Sequence, residues 1–302
     1  MDDTHVPAAT CMRAAQELEE QGYAVVEGFA SPDQVERLRT RMEQLVSEHE
    51  PSTTSVFSTT QQAKLTSDEA FLQSADRISF FYEEKALDAS GALRVDKSMA
   101  VNKVGHALHD VDPVFRAFSR SDDVSRLCRA LGFRRPVPVQ SMYICKQPGI
   151  GGEVVPHQDS AFLHTEPPSV VGLWIALEDA TTTNGCLWAW PRSHRRPLAR
   201  RFVKRDGKVG FADAPHEEEA EDVQGYVPLE VKRGTAVLLH GQLWHFSHEN
   251  RSDRSRHAYT MHVVESDGAR WSEDNWLQRR PGLPFVPLYT SDGPVSHVNC
   301  AS

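Results

Sequence analysis

The sequence predicts a mainly β protein: a double-stranded β-helix, the cupin-like jelly roll, supported by a layer of N-terminal helices. Three observations lead there. From residue 136 onward, short strand-like runs are separated by Gly, Pro, Asn and Asp clusters, as in sandwiches and barrel-like jelly rolls. Before residue 136, apolar residues recur mostly at helical spacing. The length, 302 residues, suits one large domain, and no internal repeat is visible. The whole chain, 1–302, is therefore read as one domain: a mostly helical part over 10–135, a β core over 136–290 and a tail over 291–302.

Residues 1–9 are expected to be irregular. Thr10 is placed to cap a helix running to about Gln21, with Gly22 as its stop. Residues 23–29 (YAVVEGF) read as a strand. Ser31-Pro32-Asp33-Gln34 is a helix start, with serine at the cap, proline in the first turn and glutamine three residues on. Val35, Leu38, Met42, Leu45 and Val46 make its apolar stripe, and Pro51 closes the segment. Residues 52–75, rich in Ser, Thr and Gln, are expected as surface loop with a short helix. A strand follows at 78–82, 97–109 has no clear period, and Asp112-Pro113 opens a helix to about Ala130, ended by Gly132. The strand-like runs of the core are 137–147, 154–160, 170–178, 186–190, 200–205, 226–231, 235–240, 243–248 and 256–264.

Composition excludes several classes. The net charge of -9 and pI near 5.9 give no global attraction to nucleic acid or to an anionic membrane. The longest apolar run, 170–177, is far too short to span a bilayer. The five cysteines are scattered, odd in number and free of Cys-x-x-Cys spacing, so they read as reduced thiols. The expectation is a cytoplasmic protein, with the nucleus also open, acting as a monomer on a small-molecule substrate.

The chemistry centres on Pro156-His157-Gln158-Asp159. On a strand, residues i and i+2 share a face, so His157 and Asp159 can grip one ion while Gln158 turns away. A distal histidine, His245 in residues 243–247 (LWHFS), would complete a two-histidine, one-carboxylate face. That face leaves three adjacent positions open on an octahedral metal, as in non-haem Fe(II) oxygenases. Two neutral imidazoles and one carboxylate leave the metal net positive, which favours an anionic chelator such as a 2-oxo acid, with O2 at the remaining position. With 14 histidines in the chain, His-x-Asp alone is weak evidence, and His240 competes with His245. A dicarboxylic oxo acid also needs a partner for its far carboxylate, and arginine's planar fork suits it. Ser247 shares parity with His245, and Arg254 and Arg256 share parity with each other; physics alone does not choose between the two arginines.

At this point the sequence resembles the phytanoyl-CoA dioxygenase family. The resemblance is carried by residues 102–109 (NKVGHALH), 140–148 (QSMYICKQP), 151–159 (GGEVVPHQD), 174–181 (WIALEDAT), 184–188 (NGCLW), 240–256 (HGQLWHFSHENRSDRSR) and 271–278 (WSEDNWLQ), and it runs from about residue 12 to Thr290. It implies a double-stranded β-helix that uses Fe(II), 2-oxoglutarate and O2. It implies His157, Asp159 and His245 as catalytic iron ligands, and Lys103, Met142, Trp174, Ser247 and Arg256 around 2-oxoglutarate, selecting Arg256 over Arg254. A carboxylate at position 159 favours hydroxylation over the related halogenation.

Other features have plainer readings. His106, His109, His164 and His194 either line the mouth or satisfy local hydrogen bonds, with His194 read as a turn residue. Gly149, Gly151 and Gly152 suggest a mobile lip over the site. The basic run 192–205 and the acidic run 217–222 read as solvated loops, with an anionic-substrate landing site as the sharper alternative. A non-catalytic metal- or 2-oxoglutarate-binding module is the competing functional reading, and a cupin-like isomerase needing no oxo acid is a third.

Overall fold

The structure is a computed structural model that describes residues 5–50, 55–57, 69–212, 224–291 and 293–295. The acidic run at 217–222 and most of the tail lie outside the described residues. Two β-sheets face each other across a cavity. The eight-stranded major sheet runs, in spatial order, Tyr23–Val26, Ala236–His240, Val171–Ala176, Ala258–Glu265, Pro136–Ile144, Val101–His106, Ile78–Glu83 and Val56–Phe57. The minor sheet runs Val227–Leu229, Leu187–Ala189, His245–Ser247 and Val154–His157. From residue 136 the chain shuttles between the two, and every pairing among these core strands is antiparallel. This is the jelly roll expected from the spacing of the turns.

The sheet does not stop at residue 136. Tyr23–Val26, Ile78–Glu83 and Val101–His106 extend its two edges, so the early part of the chain contributes strands as well as helices. The segment 97–109 had no clear period because it is three short pieces: a helical turn Lys97–Ala100, the strand Val101–His106 and a helical turn Leu108–Val111. The helix expected over 112–130 is two helices, Pro113–Ser119 and Asp122–Ala130. Ser121 breaks the run by capping the second, accepting from the Val124 N–H. The strand expected at 23–29 ends at Val26, before Gly28 at φ 65°. A further strand, Lys208–Ala212, pairs with Arg201–Arg205.

The first helix, α1, spans Ala8–Gln21 and begins two residues before Thr10. Pro7 lies just outside it, and the Pro7 carbonyl accepts from Thr10 and Cys11, so no side-chain cap is used. Gly22 ends it as expected, at φ 86°, where a Cβ would meet Nδ1 of His194 at 2.4 Å. The second helix, α2, spans Pro32–Glu48 and carries both halves of the capping box, Ser31 N–H to Gln34 Oε1 at 2.8 Å and Gln34 N–H to Ser31 Oγ at 3.2 Å. Val35, Leu38, Met42 and Val46 are buried in the core shared with Leu173, Leu238 and Tyr259 of the major sheet. Ser31→Ala is expected to lower global stability by about 1 kcal/mol without touching the site, as read by chemical unfolding. Among the described residues no helix is long and apolar enough to cross a membrane.

Candidate active site

His157 ends its strand, and His245 begins the neighbouring one as its direct cross-strand partner. Their rings sit 4.2 Å apart, centre to centre. The pairing slips between His245 and Ser247, an irregularity of the kind that re-aims side chains at strand ends. Asp159 is not on the strand, as i, i+2 alternation required; it opens a 3₁₀ turn, Asp159–Ala161. The turn is tied down where Ser160 N–H donates to the Gly241 carbonyl at 2.8 Å. The carboxylate still converges on the histidines, now through turn geometry. Gln158 does turn away: its amide donates to the Gln242 carbonyl and accepts from Ala199 N–H.

Each histidine presents the same nitrogen. Nδ1 of His157 is 2.9 Å from the Val155 carbonyl and Nδ1 of His245 is 3.1 Å from the Leu243 carbonyl. A carbonyl only accepts, so both Nδ1 atoms carry the proton and both Nε2 lone pairs are free to bind a metal. The two Nε2 atoms lie 3.6 and 3.7 Å from Asp159 Oδ1, too long for hydrogen bonds. All three donor atoms fall within 4.8 Å of one another, close enough for one cation to touch them all. Burial, and then the neighbouring His157, lower His245 to about 4, so its imidazole is neutral at physiological pH. Burial alone would raise the Asp159 carboxyl, but the facing imidazoles of His262 and His245 outweigh it and hold the group well below the usual carboxylate range.

The five residues expected around 2-oxoglutarate line the same cavity, of about 190 Å³, as the three metal-capable ones. Lys103, Met142 and Trp174 come from the major sheet; Ser247 is on the minor one, and Arg256 lies just ahead of the strand Ala258–Glu265. Arg256 is 1% exposed, its Nε donates to the Gly185 carbonyl at 3.0 Å, and its guanidinium lies 5.2 Å from the Trp174 ring centre. Its Nη1 is buried without a partner among the described residues. Burial lowers Arg256 to about 10, so it stays cationic at neutral pH. Arg254, by contrast, is exposed on the turn. Lys103 is buried between the Phe71 and Phe81 rings, its ammonium 5.5 and 5.6 Å from their centres, and burial depresses it well below an ordinary lysine.

His240 takes no part; its Nδ1 accepts from Gln242 N–H and its ring lies tilted 5.0 Å from that of His194. His194 holds the Glu19 carbonyl from a 3₁₀ turn, and His109 bonds Ser141 in a network with Asp110 and Arg279. His164 has its backbone N–H on Asn275, and of these four histidines only His106 lines the cavity. The glycine-rich lip is tied rather than loose. Gly152 N–H donates to Glu83, the Lys146 ammonium donates to the Gly152 and His248 carbonyls, and Asn250 N–H donates to the Gly151 carbonyl.

Two residues of the site escaped the sequence reading. His262 Nε2 lies 3.2 Å from Asp159 Oδ2, the oxygen that faces away from the two histidines, and Gln140 is its cross-strand neighbour. The signal was available in alternation: Arg256, Ala258, Thr260 and His262 share parity, so an inward Arg256 implies an inward His262. Gly172, opposite His262, makes the room; a Cβ there would stand 3.1 Å from Asp159 Oδ2. Gly172→Ala is therefore expected to weaken divalent-metal binding by about tenfold while leaving the fold intact, as measured by calorimetric titration.

Comparison with known proteins agrees with this picture. The family model described as phytanoyl-CoA dioxygenase (PhyH) matches residues 18–258. A phytanoyl-CoA dioxygenase of Arabidopsis thaliana is 52% identical over 269 residues, covering 89% of this chain and 93% of its own. The phytanoyl-CoA dioxygenase domain-containing protein 1 of Bos taurus is 47% identical over 282 residues, covering 91% and 97%. Among solved structures, the epimerase SnoN in complex with Fe3+, alpha ketoglutarate and nogalamycin RO superposes with a TM-score of 0.63 at 15% identity, over 96% of this chain and 97% of that one. EctD from S. alaskensis with 2-oxoglutarate and 5-hydroxyectoine gives 0.59 at 20% identity, over 93% and 86%. At such identities these two establish the shared fold.

Proposed function

The chain belongs to the phytanoyl-CoA dioxygenase family, and from that premise we propose that it hydroxylates a C–H bond of a small molecule at an Fe(II) ion held by His157, Asp159 and His245. It is a 2-oxoglutarate-dependent non-haem iron dioxygenase. The observation that carries the assignment of roles is the convergence of two proton-free Nε2 atoms and one carboxylate oxygen within 4.8 Å, in a cavity that also holds a buried guanidinium.

The residues fit the groups asked of them. Two neutral imidazoles and a carboxylate suit a divalent iron and leave it net positive. The Arg256 guanidinium, with Nη1 unsatisfied, fits the far carboxylate of 2-oxoglutarate; the Trp174 ring faces it at 5.2 Å, and Ser247 stands on the same strand as His245. Met142 supplies an apolar wall and Lys103 a second donor. When bound, iron and 2-oxoglutarate supply dioxygen activation, with release of succinate and CO2 and delivery of one oxygen atom to the substrate. The protein's part is to orient the chelator and keep water out: the Val155 and Leu243 carbonyls fix the ligand rings, and the opposed apolar sheet faces close the sides. The experiment is O2-dependent conversion of 2-oxoglutarate to succinate by Fe(II)-loaded protein, without added substrate and with a broad metabolite mixture. Turnover that requires all three components supports the reading; none under any condition contradicts it.

A further inference from the structure

Arg256 marks one end of the cavity, and the metal-capable Asp159 reaches toward the other, its Oδ2 3.2 Å from His262 Nε2. The other end holds polar atoms that neither iron nor 2-oxoglutarate explains. The distance follows from the register: His262 pairs with Gln140 and His106 with Ser141, whereas Arg256 lies two residues ahead of the Ala258–Ile144 pair. Residues 256 and 262 are thus separated by roughly 20 Å of strand. A far carboxylate seated on Arg256 is therefore remote from His106, whereas the metal-capable Asp159 stands beside His262, next to this chamber.

The state of His106 can be worked out from its neighbours. Ser74 Oγ lies 2.5 Å from the Phe71 carbonyl and 2.7 Å from His106 Nδ1. A carbonyl only accepts, so the serine hydroxyl gives its one proton to Phe71 and accepts from His106. Nδ1 therefore carries the imidazole proton, and Nε2 is left as a bare acceptor. That atom is fully buried, lines the cavity and has no partner among the described residues. Burial, with Lys103 close by, holds His106 well below an ordinary histidine, so it stays neutral. Trp276, whose ring centre is 5.3 Å from that of His106, also has its indole N–H buried and unpartnered in the cavity wall. Around them stand aromatic faces: Phe71 stacked on Trp276 at 4.5 Å, and Phe162, Phe202 and Phe211 packed against one another at 5.2 to 5.7 Å.

A buried acceptor without a donor is costly, and a bound ligand that supplies the donor removes the cost. We infer that this chamber is the substrate subsite and that it recognises a compact, largely apolar molecule through one neutral hydrogen-bond donor, a hydroxyl or an amide N–H, docked on Nε2 of His106. The Trp276 N–H favours the hydroxyl, which can also accept. An ammonium is disfavoured by Lys103. This deepens the dioxygenase reading and rests on it for the word substrate; the binding site itself does not need it.

The test uses two isomers of equal size, 4-fluorobenzyl alcohol, which donates, and 4-fluoroanisole, which does not. Each is titrated into Zn(II)-loaded protein with 2-oxoglutarate and followed by fluorine NMR. The alcohol is expected to bind about fivefold or more tightly than the ether, the worth of one buried hydrogen bond. His106→Phe should abolish the preference while leaving the ether's affinity within about twofold, and His106→Gln, which restores an acceptor, should recover part of it. Equal binding of the isomers, binding of neither, or a preference that survives His106→Phe would overturn the inference. The wild-type comparison decides by itself if the variants do not fold. Calorimetry of 2-oxoglutarate on the same samples separates the two claims. Absence of the alcohol preference in the wild-type protein, with 2-oxoglutarate binding intact, sinks the subsite alone. An alcohol preference without 2-oxoglutarate binding sinks the dioxygenase roles and leaves the subsite standing.

Discussion

Replacing His157 by alanine is expected to reduce 2-oxoglutarate turnover by about 10³-fold or more, because the several kcal/mol that a metal contributes to the transition state depend on its being held. The side chain contributes one of three donors, and Nε2 of His245 with Asp159 Oδ1 cannot form the same face alone. The fold should survive. His157 is half-buried at the end of its strand, and the strand is held by backbone pairing to His245–Ser247 rather than by the ring. The measurement is succinate formation, with the far-ultraviolet dichroism of the variant as control. Wild-type turnover in a folded His157→Ala protein would remove this residue from the ligand set.

The second large effect concerns Arg256. Arg256→Ala is expected to weaken 2-oxoglutarate binding by about 10²-fold or more, since removing one partner of a buried, hydrogen-bonded charge pair leaves the other charge stranded. Divalent-metal affinity should change little, because Arg256 is not among the converging donors. Arg256→Lys should recover only part of the loss: an ammonium keeps the charge but not the planar fork. The guanidinium's bond to the Gly185 carbonyl would also be lost, so thermal unfolding is needed beside the titration. A folded Arg256→Ala variant with unchanged 2-oxoglutarate affinity would assign the far carboxylate to another group, with Lys103 a cationic alternative in the same cavity.

Much of this was legible in the residues. The capping box at Ser31 and the stripe from Val35 to Val46 are local patterns, and the structure reproduces them. The strands from 136 onward were marked by alternation and turn residues, though most of their ends were overestimated by one to three residues and those at Pro136 and Glu265 fell one short, since strand ends depend on the last ladder bond rather than on local composition. What failed depended on tertiary context. The run from 112 to 130 kept helical composition across a serine that reset the helix. The segment 97–109 changed element twice within a few residues, which no window resolves.

The site divides the same way. His157, Asp159 and His245 are legible as a pattern, but a turn rather than strand alternation brings Asp159 to the histidines. Choosing between Arg254 and Arg256 needed more than parity, since both have the same one; the structure buries Arg256 and leaves Arg254 in solvent. His262 could have been found by carrying that parity further along the strand. The aromatic chamber could not. Its walls bring Phe71, Phe162 and Trp276 together with the cross-strand pair Phe202 and Phe211, from segments far apart in sequence whose meeting has no local signature.

The proposed function requires that residues 157, 159 and 245 hold one iron ion on one side and leave adjacent positions open to a chelating oxo acid. Its most direct test is an anaerobic titration of the metal-free protein with Fe(II), with and without 2-oxoglutarate, followed by visible absorption. A charge-transfer band that requires both components, saturates at one iron per chain and is lost in His157→Ala is the expected result. Tight Fe(II) binding with no band on adding 2-oxoglutarate, or a band retained in a folded His157→Ala protein, would contradict it.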